Sequence, residues 1–262
     1  MQKTAPGMCA AFVVAAEGYD RLMGRYLPSL APAFADAAGV TPGQRVLDVG
    51  CGPGGLTGEL VRRVGAPAVS AIDPSPPFVE ACRERQPGVD VQIGVAEGLP
   101  FGASEFDAVL ACLVVGFMSD AHTGVAEMTR VARPGGTVAA CFWDAARMPA
   151  IQLFWRAAAQ VDPSRSGEVA RLGSREGDLA ALLTHAGLHD VHEETLPASA
   201  QYQDFADWWS PIEQGIGPAG TYYLSLDDAH RDAVREAAKQ QLGGPQSSFV
   251  LHATAWCARG TK

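Results

Sequence analysis

The stretch from Arg45 to Leu56, which reads RVLDVGCGPGGL, decides the fold of this chain. Its first part, 45–49, is a short apolar run rich in β-branched residues, which predicts a buried strand. Glycines follow at Gly50, Gly52, Gly54 and Gly55. Glycines directly after a strand let the backbone turn tightly and let a ligand contact the main chain where a Cβ atom would block it. Because apolar residues at helical spacing follow in 56–64, the loop is predicted to open a helix.

Acidic residues near this loop indicate which kind of nucleotide it binds. A dinucleotide fingerprint spaces its glycines G-x-G-x-x-G, so that a pyrophosphate lies at the helix N-terminus. Here the spacing is G-x-G-x-G, and Asp48 lies just before the first glycine. A carboxylate there is poorly placed for a pyrophosphate and suits a ligand that carries an ammonium and a sulfonium group. Asp73 follows a second apolar run, 68–72, where an acid can accept both ribose hydroxyls.

At this point the chain resembles the class I S-adenosylmethionine (SAM)-dependent methyltransferases. The similarity is to the small-molecule branch, methyltransferase type 11, which includes the quinone-biosynthesis C-methyltransferases. It rests on VLDVGCGPG at 46–54, AIDPS at 71–75, AEGLPF at 96–101, FDAVLA at 106–111 and RVARPGG at 130–136. One such segment is a weak signal, whereas five in this order at the spacing of a βα repeat are specific. The resemblance is good over 45–143, fair over 19–40 and thin beyond 150.

The resemblance implies a set of SAM-binding residues at the carboxyl ends of the strands. The glycine loop is expected to line the methionine part, with Asp48 reaching the ammonium, directly or through water, and Asp73 binding the ribose. Cys112 and Leu113 are expected to contact the methionine chain through their backbone. The predicted cofactor-binding residues of this core are Asp48, Gly50, Cys51, Gly52, Gly54, Asp73, Pro74, Ala96, Glu97, Cys112 and Leu113.

The adenine end departs from the family pattern. Similar enzymes usually place an acid on the adenine amino group, and Val95 stands at that position here. Ala96 can still donate its backbone N–H to the ring. Glu97 either reaches the amino group or is solvent-exposed, and both interpretations remain open.

The N-terminal segment is expected to form helices over 9–24 and 27–38. In similar methyltransferases a segment of this kind folds over the cofactor. On that resemblance Tyr19 and Arg25 are candidates to cover it, with Arg25 binding the methionine carboxylate. The alternative is that both side chains only pack on or solvate a helix surface.

Composition limits the partners. The net charge is −9 and the chain has three lysines, which argues against nucleic acid and anionic membranes and favours a small, neutral or apolar substrate. The longest apolar stretch, 108–118, is shorter than the ~20 residues of a membrane helix. The oligomeric state stays open.

Cysteine usage points to the cytoplasm. The six cysteines form no CxxC pair, which is typical of small buried side chains in a reducing compartment. The apolar run Met8 to Ala16 imitates a secretory signal, but one lysine precedes it, Glu17 follows it, and no cleavage site is evident. A composition rich in alanine and arginine and poor in lysine suggests a bacterial source.

The predicted fold class is α/β, with a doubly wound, Rossmann-like sheet. Further strands are predicted at 68–72, 89–95, 106–112 and 137–143, alternating with helices at 74–86 and 120–131. The resemblance implies a seven-stranded sheet that ends in an antiparallel hairpin, with 191–196 and 249–258 as two edge strands. We expect an N-terminal helical cap at 1–40, a SAM-binding core at 41–146, and a C-terminal part at 147–262 with a helical lid inserted around 200–245.

Aromatic residues are concentrated in this predicted lid. They either line an apolar or aromatic substrate pocket, with cation–π help to the sulfonium, or form the core of the lid itself. The residues concerned are Tyr202, Phe205, Trp208, Trp209, Tyr222 and Tyr223.

Histidines supply the remaining candidates for chemistry. His122 begins a predicted helix near the cofactor side and is a weak candidate for a general base, the alternative being a surface residue. His185, His189 and His192 imitate metal ligands, but strand alternation separates the last two and no cysteine or acid completes a site. No metal is therefore expected.

These features predict a SAM-dependent methyltransferase that acts on carbon or oxygen of a small, apolar or aromatic metabolite by in-line displacement. The sequence does not identify the acceptor. Two alternatives remain: a SAM-binding protein without methyl transfer, such as a cyclisation catalyst or a regulator, and an NAD(P)-dependent oxidoreductase. The glycine spacing and Asp48 count against the oxidoreductase.

Overall fold

The structure, a computed structural model, describes residues 16–164, 171–243 and 247–262. Of the helix predicted from Cys9, only the part from Ala16 onward falls within this range. The rest of the apolar run that begins at Met8 lies outside the described residues.

A sheet of seven strands forms the centre of the molecule, in the order β3-β2-β1-β4-β5-β7-β6. Strands β1 to β5 pair in parallel, whereas β7 runs antiparallel to both β5 and β6. The strands are β1 (Val46–Val49), β2 (Val69–Asp73), β3 (Asp90–Ile93), β4 (Phe106–Cys112), β5 (Ala132–Trp143), β6 (His189–Tyr202) and β7 (Phe249–Thr261). The predicted α/β fold class is thereby confirmed.

Helices precede the first strand and connect the others. They are α1 (Ala16–Leu22), α2 (Leu27–Ala37), α3 (Gly55–Val64), α4 (Pro76–Arg85), α5 (Ala121–Val131), α6 (Pro149–Val161), α7 (Asp178–His185), α8 (Phe205–Glu213), α9 (Gly217–Ser225) and α10 (Asp228–Gln241). Helices α8 to α10 occupy the connection between β6 and β7, in the segment where the sequence predicts an inserted lid.

Strand β1 lies in the middle of the parallel part and is buried along its whole length. Asp48 is in register with Ala71 of β2 on one side and with Leu110 of β4 on the other. Because parallel strands end at the same edge of a sheet, the segments after β1, β2 and β4 meet there. This edge is where the sequence places its candidate site.

The pairing of the last two strands corrects one expectation. Both 191–196 and 249–258 were predicted to be edge strands, but β7 lies between β5 and β6, so that of these two only β6 is an edge strand. Strand β6 is also longer than predicted, since it continues through Pro197 to Tyr202. Proline is tolerated on an edge strand, where one side of the backbone needs no partner. In a sequence, however, a proline argues against a strand, which is why the prediction ended before Pro197.

Among the described residues, no helix is long and apolar enough to span a membrane. The aromatic residues of α8 instead enter the protein core. Trp208 and Trp209 are 1% and 0% exposed and pack with Phe205, and Trp209 also contacts Phe154 of α6. Burial of these side chains stabilises the position of α8, since each Å² of apolar surface removed from water contributes roughly 25 cal/mol.

Candidate functional site

A cavity of about 970 Å³ opens at the carboxyl edge of β1, β2 and β4. Its size is at the upper end of the range for small-molecule sites, about 300–1,000 Å³. Of the predicted site residues it is lined by Tyr19, Gly50, Gly52, Asp73, Pro74, Ala96, Glu97, Cys112 and Leu113. The structure therefore brings together residues from five separate segments that the sequence assigned to one ligand.

The glycine loop forms one wall of this cavity with its main chain. Gly50 and Gly52 have φ angles of +74° and +53°, a region that favours glycine. A Cβ atom at Gly50 would lie 2.5 Å from the side chain of Val114. The N–H groups of Gly50 and Cys51 donate to the carbonyl of Ile72 at 2.7 and 3.0 Å, which ties the loop to β2. Only glycine fits the first of these positions, so the backbone itself faces the cavity.

Asp73 is the last residue of β2, and its side chain connects this strand to the glycine loop. Its Oδ2 accepts the N–H of Gly52 at 2.9 Å, and its Oδ1 accepts the N–H of Ser75 at 2.8 Å. Burial raises the pKa of this carboxyl, while the two backbone donors oppose the shift. The carboxylate is thus held at the cavity wall, where its remaining lone pairs can accept from a ligand with hydroxyl groups.

Asp48 lies behind the loop and does not line the cavity. Its side chain is fully buried, and Oδ2 accepts the Thr57 hydroxyl at 2.6 Å. Oδ1 has no hydrogen-bond partner among the described residues. Burial raises the pKa of Asp48 from 3.8 to about 7, opposed by Thr57 and assisted by the charge of Asp73. A buried oxygen without a donor is costly, and a cation in the neighbouring loop would lower that cost.

The segment after β3, which the sequence predicts to bind the adenine, uses Glu97 differently from that prediction. Val95 and Ala96 line the cavity, and the predicted backbone contact of Ala96 with the adenine ring stays a prediction. Glu97 also lines it, but its Oε1 accepts the N–H groups of Ser119 and Asp120 at 2.7 and 3.1 Å. Glu97 therefore connects the segment after β3 to the start of α5, and its predicted contact with the adenine amine stays a prediction.

The end of β4 supplies a strained residue. Leu113 has a φ of +61°, which is uncommon for a residue with a Cβ atom, and its N–H donates to the carbonyl of Cys141 at 2.8 Å. Cys112 lies beside Cys141 on the next strand, with 3.6 Å between their sulfurs. Backbone strain of this kind is often retained at binding sites, and here it turns the chain toward the cavity.

Two predicted roles in the N-terminal segment have different outcomes. Tyr19 of α1 lines the cavity and packs against Phe78 of α4, with 5.4 Å between the ring centroids. Arg25 does not line it, which corrects its expected contact with the methionine carboxylate. Its guanidinium forms two 3.0 Å bonds to Asp207 and lies 4.3 Å from the centroid of the Tyr202 ring. Arg25 thus holds α8 against the N-terminal segment.

Three further candidates also lie outside the cavity lining. Cys51 and Gly54 are buried within the loop, where Gly54 has a φ of +97° at the start of α3. His122 is exposed on α5 and packs edge-on against His185, with 4.7 Å between the ring centroids. Its assignment as a general base is therefore not supported by its position.

The three histidines suggestive of metal binding do not converge either. His185 contacts His122, whereas His189 lies on β6 with its ring nitrogen 3.9 Å from Asp190. Within the described parts of the chain no three side chains of the metal-ligating types are grouped.

The other half of the cavity is apolar and largely unpredicted. None of the six lid aromatics lines it, because they pack into the core or, like Tyr222, against Trp155. The wall is formed instead by the segment after β4, by the end of β5, by α6 with the residue before it, and by the end of α8 with the segment that follows it. Its large apolar residues are Phe117, Met118, Phe142, Trp143, Met148, Ile151, Trp155, Ile212 and Ile216. The spacing of Met148, Ile151 and Trp155 was a signal for one helix face, but nothing local indicated that this face borders a cavity.

These observations fit a nucleoside ligand that carries a positive charge. A glycine wall admits close backbone contact, Asp73 can accept ribose hydroxyls, and the buried Asp48 leaves one oxygen without a donor. Gly50, Gly52, Asp73, Ala96 and Leu113 line the cavity where such a ligand would bind, and Asp48 is buried behind the loop.

Comparison with known proteins gives the same family. Residues 47–140, which contain β2 to β4 and most of β1 and β5, match the methyltransferase domain family. An uncharacterised protein of Mycobacterium tuberculosis is 29% identical over 249 residues, 90% of each chain. The malonyl-acyl-carrier-protein O-methyltransferase of Salmonella typhimurium is 29% identical over 210 residues, 71% of this chain and 82% of that protein.

Solved structures share the fold at low sequence identity. Phosphoethanolamine N-methyltransferase 2 of Haemonchus contortus, in complex with S-adenosyl-L-methionine, superposes with a TM-score of 0.57 and 17% identity, over 94% of this chain and 56% of that one. The (4+2)-cyclase SpnF has a TM-score of 0.52 and 18% identity, over 88% of this chain and 79% of its own. The methyltransferase-domain match over 47–140 and the seven-stranded sheet with its antiparallel last strands support a class I SAM-dependent methyltransferase.

Proposed function

We propose that this protein binds SAM at the carboxyl edge of β1, β2 and β4 and transfers its methyl group to carbon or oxygen of a small, apolar or aromatic metabolite. One observation carries the proposal: the glycine loop and Asp73 share a single cavity with the apolar wall of α6. Donor and acceptor can therefore lie side by side without crossing solvent.

When bound, SAM supplies a methyl group on a positively charged sulfur, which an acceptor displaces in line. The protein's task is then mainly alignment, which contributes ~7–11 kcal/mol in favourable systems. In our proposal Gly50 and Gly52 contact the methionine part, Asp73 binds the ribose, and Asp48 stabilises the positive end of the ligand through the loop.

The apolar wall positions the acceptor and excludes water. Trp143, Met148 and Trp155 present aromatic and thioether surface, which suits flat or hydrocarbon groups. Among the described residues that line the cavity there is no histidine or lysine, and we assign no general base. A base is needed only for an acceptor that must lose a proton during the transfer.

Three features support a small-molecule acceptor in the cytoplasm. The net charge of −9 disfavours nucleic acid and anionic membranes, the cavity is enclosed by apolar side chains, and the described cysteines are all free. In this proposal the described parts of the segments 1–40 and 200–245 cover a SAM-binding core at 41–146.

The test is calorimetric titration of SAM and S-adenosylhomocysteine into the wild type and the Asp73→Ala variant. Loss of the carboxylate should weaken binding of both by ~10–100-fold, because a charge-assisted pair of hydrogen bonds is removed. Asp232→Ala, which removes an exposed carboxylate on α10, serves as the matched control and should leave both affinities unchanged. Circular dichroism establishes that each variant is folded.

Turnover separates the remaining alternatives. Transfer of a labelled methyl group to any member of a panel of phenols, hydroxyquinones and carboxylic acids would support the transferase assignment. SAM that binds but transfers no methyl group across such a panel would favour a non-transferase role, whereas unchanged affinity in Asp73→Ala would refute the ribose assignment.

A further inference from the structure

The charged residues of the cavity are divided between its two ends. Asp73 and Glu97 lie at the proposed SAM end, whereas Arg156 and Arg171 border the apolar part. The guanidinium of Arg171 lies 4.2 Å from the centroid of the Phe117 ring and donates to the Gly116 carbonyl at 3.3 Å. Arg171 is therefore occupied in packing, which leaves Arg156 as the cation to explain.

The guanidinium of Arg156 has one weak hydrogen bond and no ion pair among the described residues. Its NH2 group lies 3.4 Å from Oε1 of Gln152, a long bond, and no carboxylate of the described residues is within ion-pair distance. Gln152 also borders the cavity, and its amide donates to the Ala145 carbonyl at 2.7 Å. Because that bond fixes the amide, its oxygen is presented to Arg156 and orients the guanidinium.

The position of Arg156 suits a group remote from the reacting atom. It lies on α6, eight residues after Met148, the N-cap of that helix, which corresponds to about 12 Å of helix rise. The side chain is exposed, whereas the neighbouring Trp155 is half-buried and Met148 is 1% exposed. Arg156 therefore lies where the apolar wall meets solvent, at the rim of the cavity.

We propose that Arg156 is a specificity-determining residue, which binds an oxyanion, a carboxylate or a phosphate, on an acceptor whose remaining part is apolar. The inference rests on the proposed function, because it assigns the substrate class of the same cavity. A guanidinium presents a planar set of donors that matches an oxyanion, and the adjacent apolar wall weakens the competition from water. The acceptor is thus an amphipathic acid rather than a neutral hydrocarbon or phenol.

The experiment compares probes that differ only in charge. Binding of decanoate, decyl phosphate and decanol, and of 2-naphthoate and 2-naphthol, is measured by calorimetry at pH 7.5 and low salt, with and without S-adenosylhomocysteine. At least one anion should bind about tenfold more tightly than its neutral partner, and the preference should decrease with ionic strength. The carboxylate and phosphate probes distinguish the two kinds of oxyanion.

Variants test the residue itself. In Arg156→Gln the preference should fall to about twofold or less, while the affinity for the neutral probes is kept; Arg156→Lys should retain part of it. Lys239→Gln removes an exposed positive charge from α10, away from the cavity, and should change nothing.

Equal binding of the charged and neutral probes to the wild type, no binding of any probe, or a full preference in Arg156→Gln would each overturn the inference. Failure of S-adenosylhomocysteine to bind would instead count against the proposed function, and the probe ratios measured without it still decide the role of Arg156.

Discussion

Replacement of Asp48 by asparagine tests whether the buried carboxyl behind the glycine loop has a raised pKa and so makes stability depend on pH. Asp48 is fully buried, and one of its oxygens has no donor among the described residues. Its pKa is raised from 3.8 to about 7, mainly by burial. The folded protein therefore binds this proton more tightly than the unfolded chain does. The resulting stabilisation is complete below about pH 4 and is lost as the pH rises to about 7.

The magnitude follows from the shift of the pKa. Each unit corresponds to about 1.4 kcal/mol, so wild-type protein should lose roughly 2–3 kcal/mol of unfolding free energy from this group between about pH 5 and about pH 8. Asparagine does not titrate. The unfolding free energy of Asp48→Asn relative to wild type should therefore rise by that amount over the same range. A constant cost of burying the new amide cancels in this comparison.

Urea denaturation at the two pH values, without added ligand, measures the difference. Asp232→Asn, an exposed carboxylate on α10, is the control and should show little change in relative stability with pH. If the difference between Asp48→Asn and wild type is the same at both pH values, the carboxyl of Asp48 does not titrate in this range and the reasoning is wrong.

Two other variants test the roles that the structure indicates for Arg25 and His122. Asp207→Asn should lower the unfolding free energy by about 1 kcal/mol at neutral pH, since it breaks a partly exposed bidentate pair with Arg25. Because Arg25 lowers the pKa of Asp207, this loss should shrink as the pH falls below about 4, and a constant loss in urea titrations would contradict it. His122→Ala should keep its methyl-transfer rate within about twofold, whereas loss of a general base would cost about 100-fold or more. A rate reduced that far, in a folded variant, would restore His122 as a catalytic candidate.

The parts of the site that could be predicted from the sequence are those made by short segments. The strand–glycine–helix unit around Gly50 shows its structure locally, because a buried strand and positive φ angles require particular residue types. Asp73 and Leu113 could be placed for the same reason, since each follows an apolar strand whose carboxyl end must share one edge of the sheet. All three line the cavity in the structure.

Other features depend on which elements pack together. Arg25 has the character of an anion-binding residue, yet its partner, Asp207, is 182 positions away and belongs to this chain. The lid aromatics have the composition of a substrate pocket, but Trp208 and Trp209 are buried in the core. Composition alone does not distinguish these alternatives, because an aromatic side chain gains from burial against either a ligand or the protein.

The sequence by itself determined the glycine loop, its acids and the α/β class, because hydrophobic period and backbone preference act over a few neighbouring residues. Only the tertiary structure decided the order of β6 and β7, the partner of Arg25 and the wall formed by α6. Each of these depends on contacts between segments far apart in the chain, whose free energy is set by packing and burial rather than by local preference.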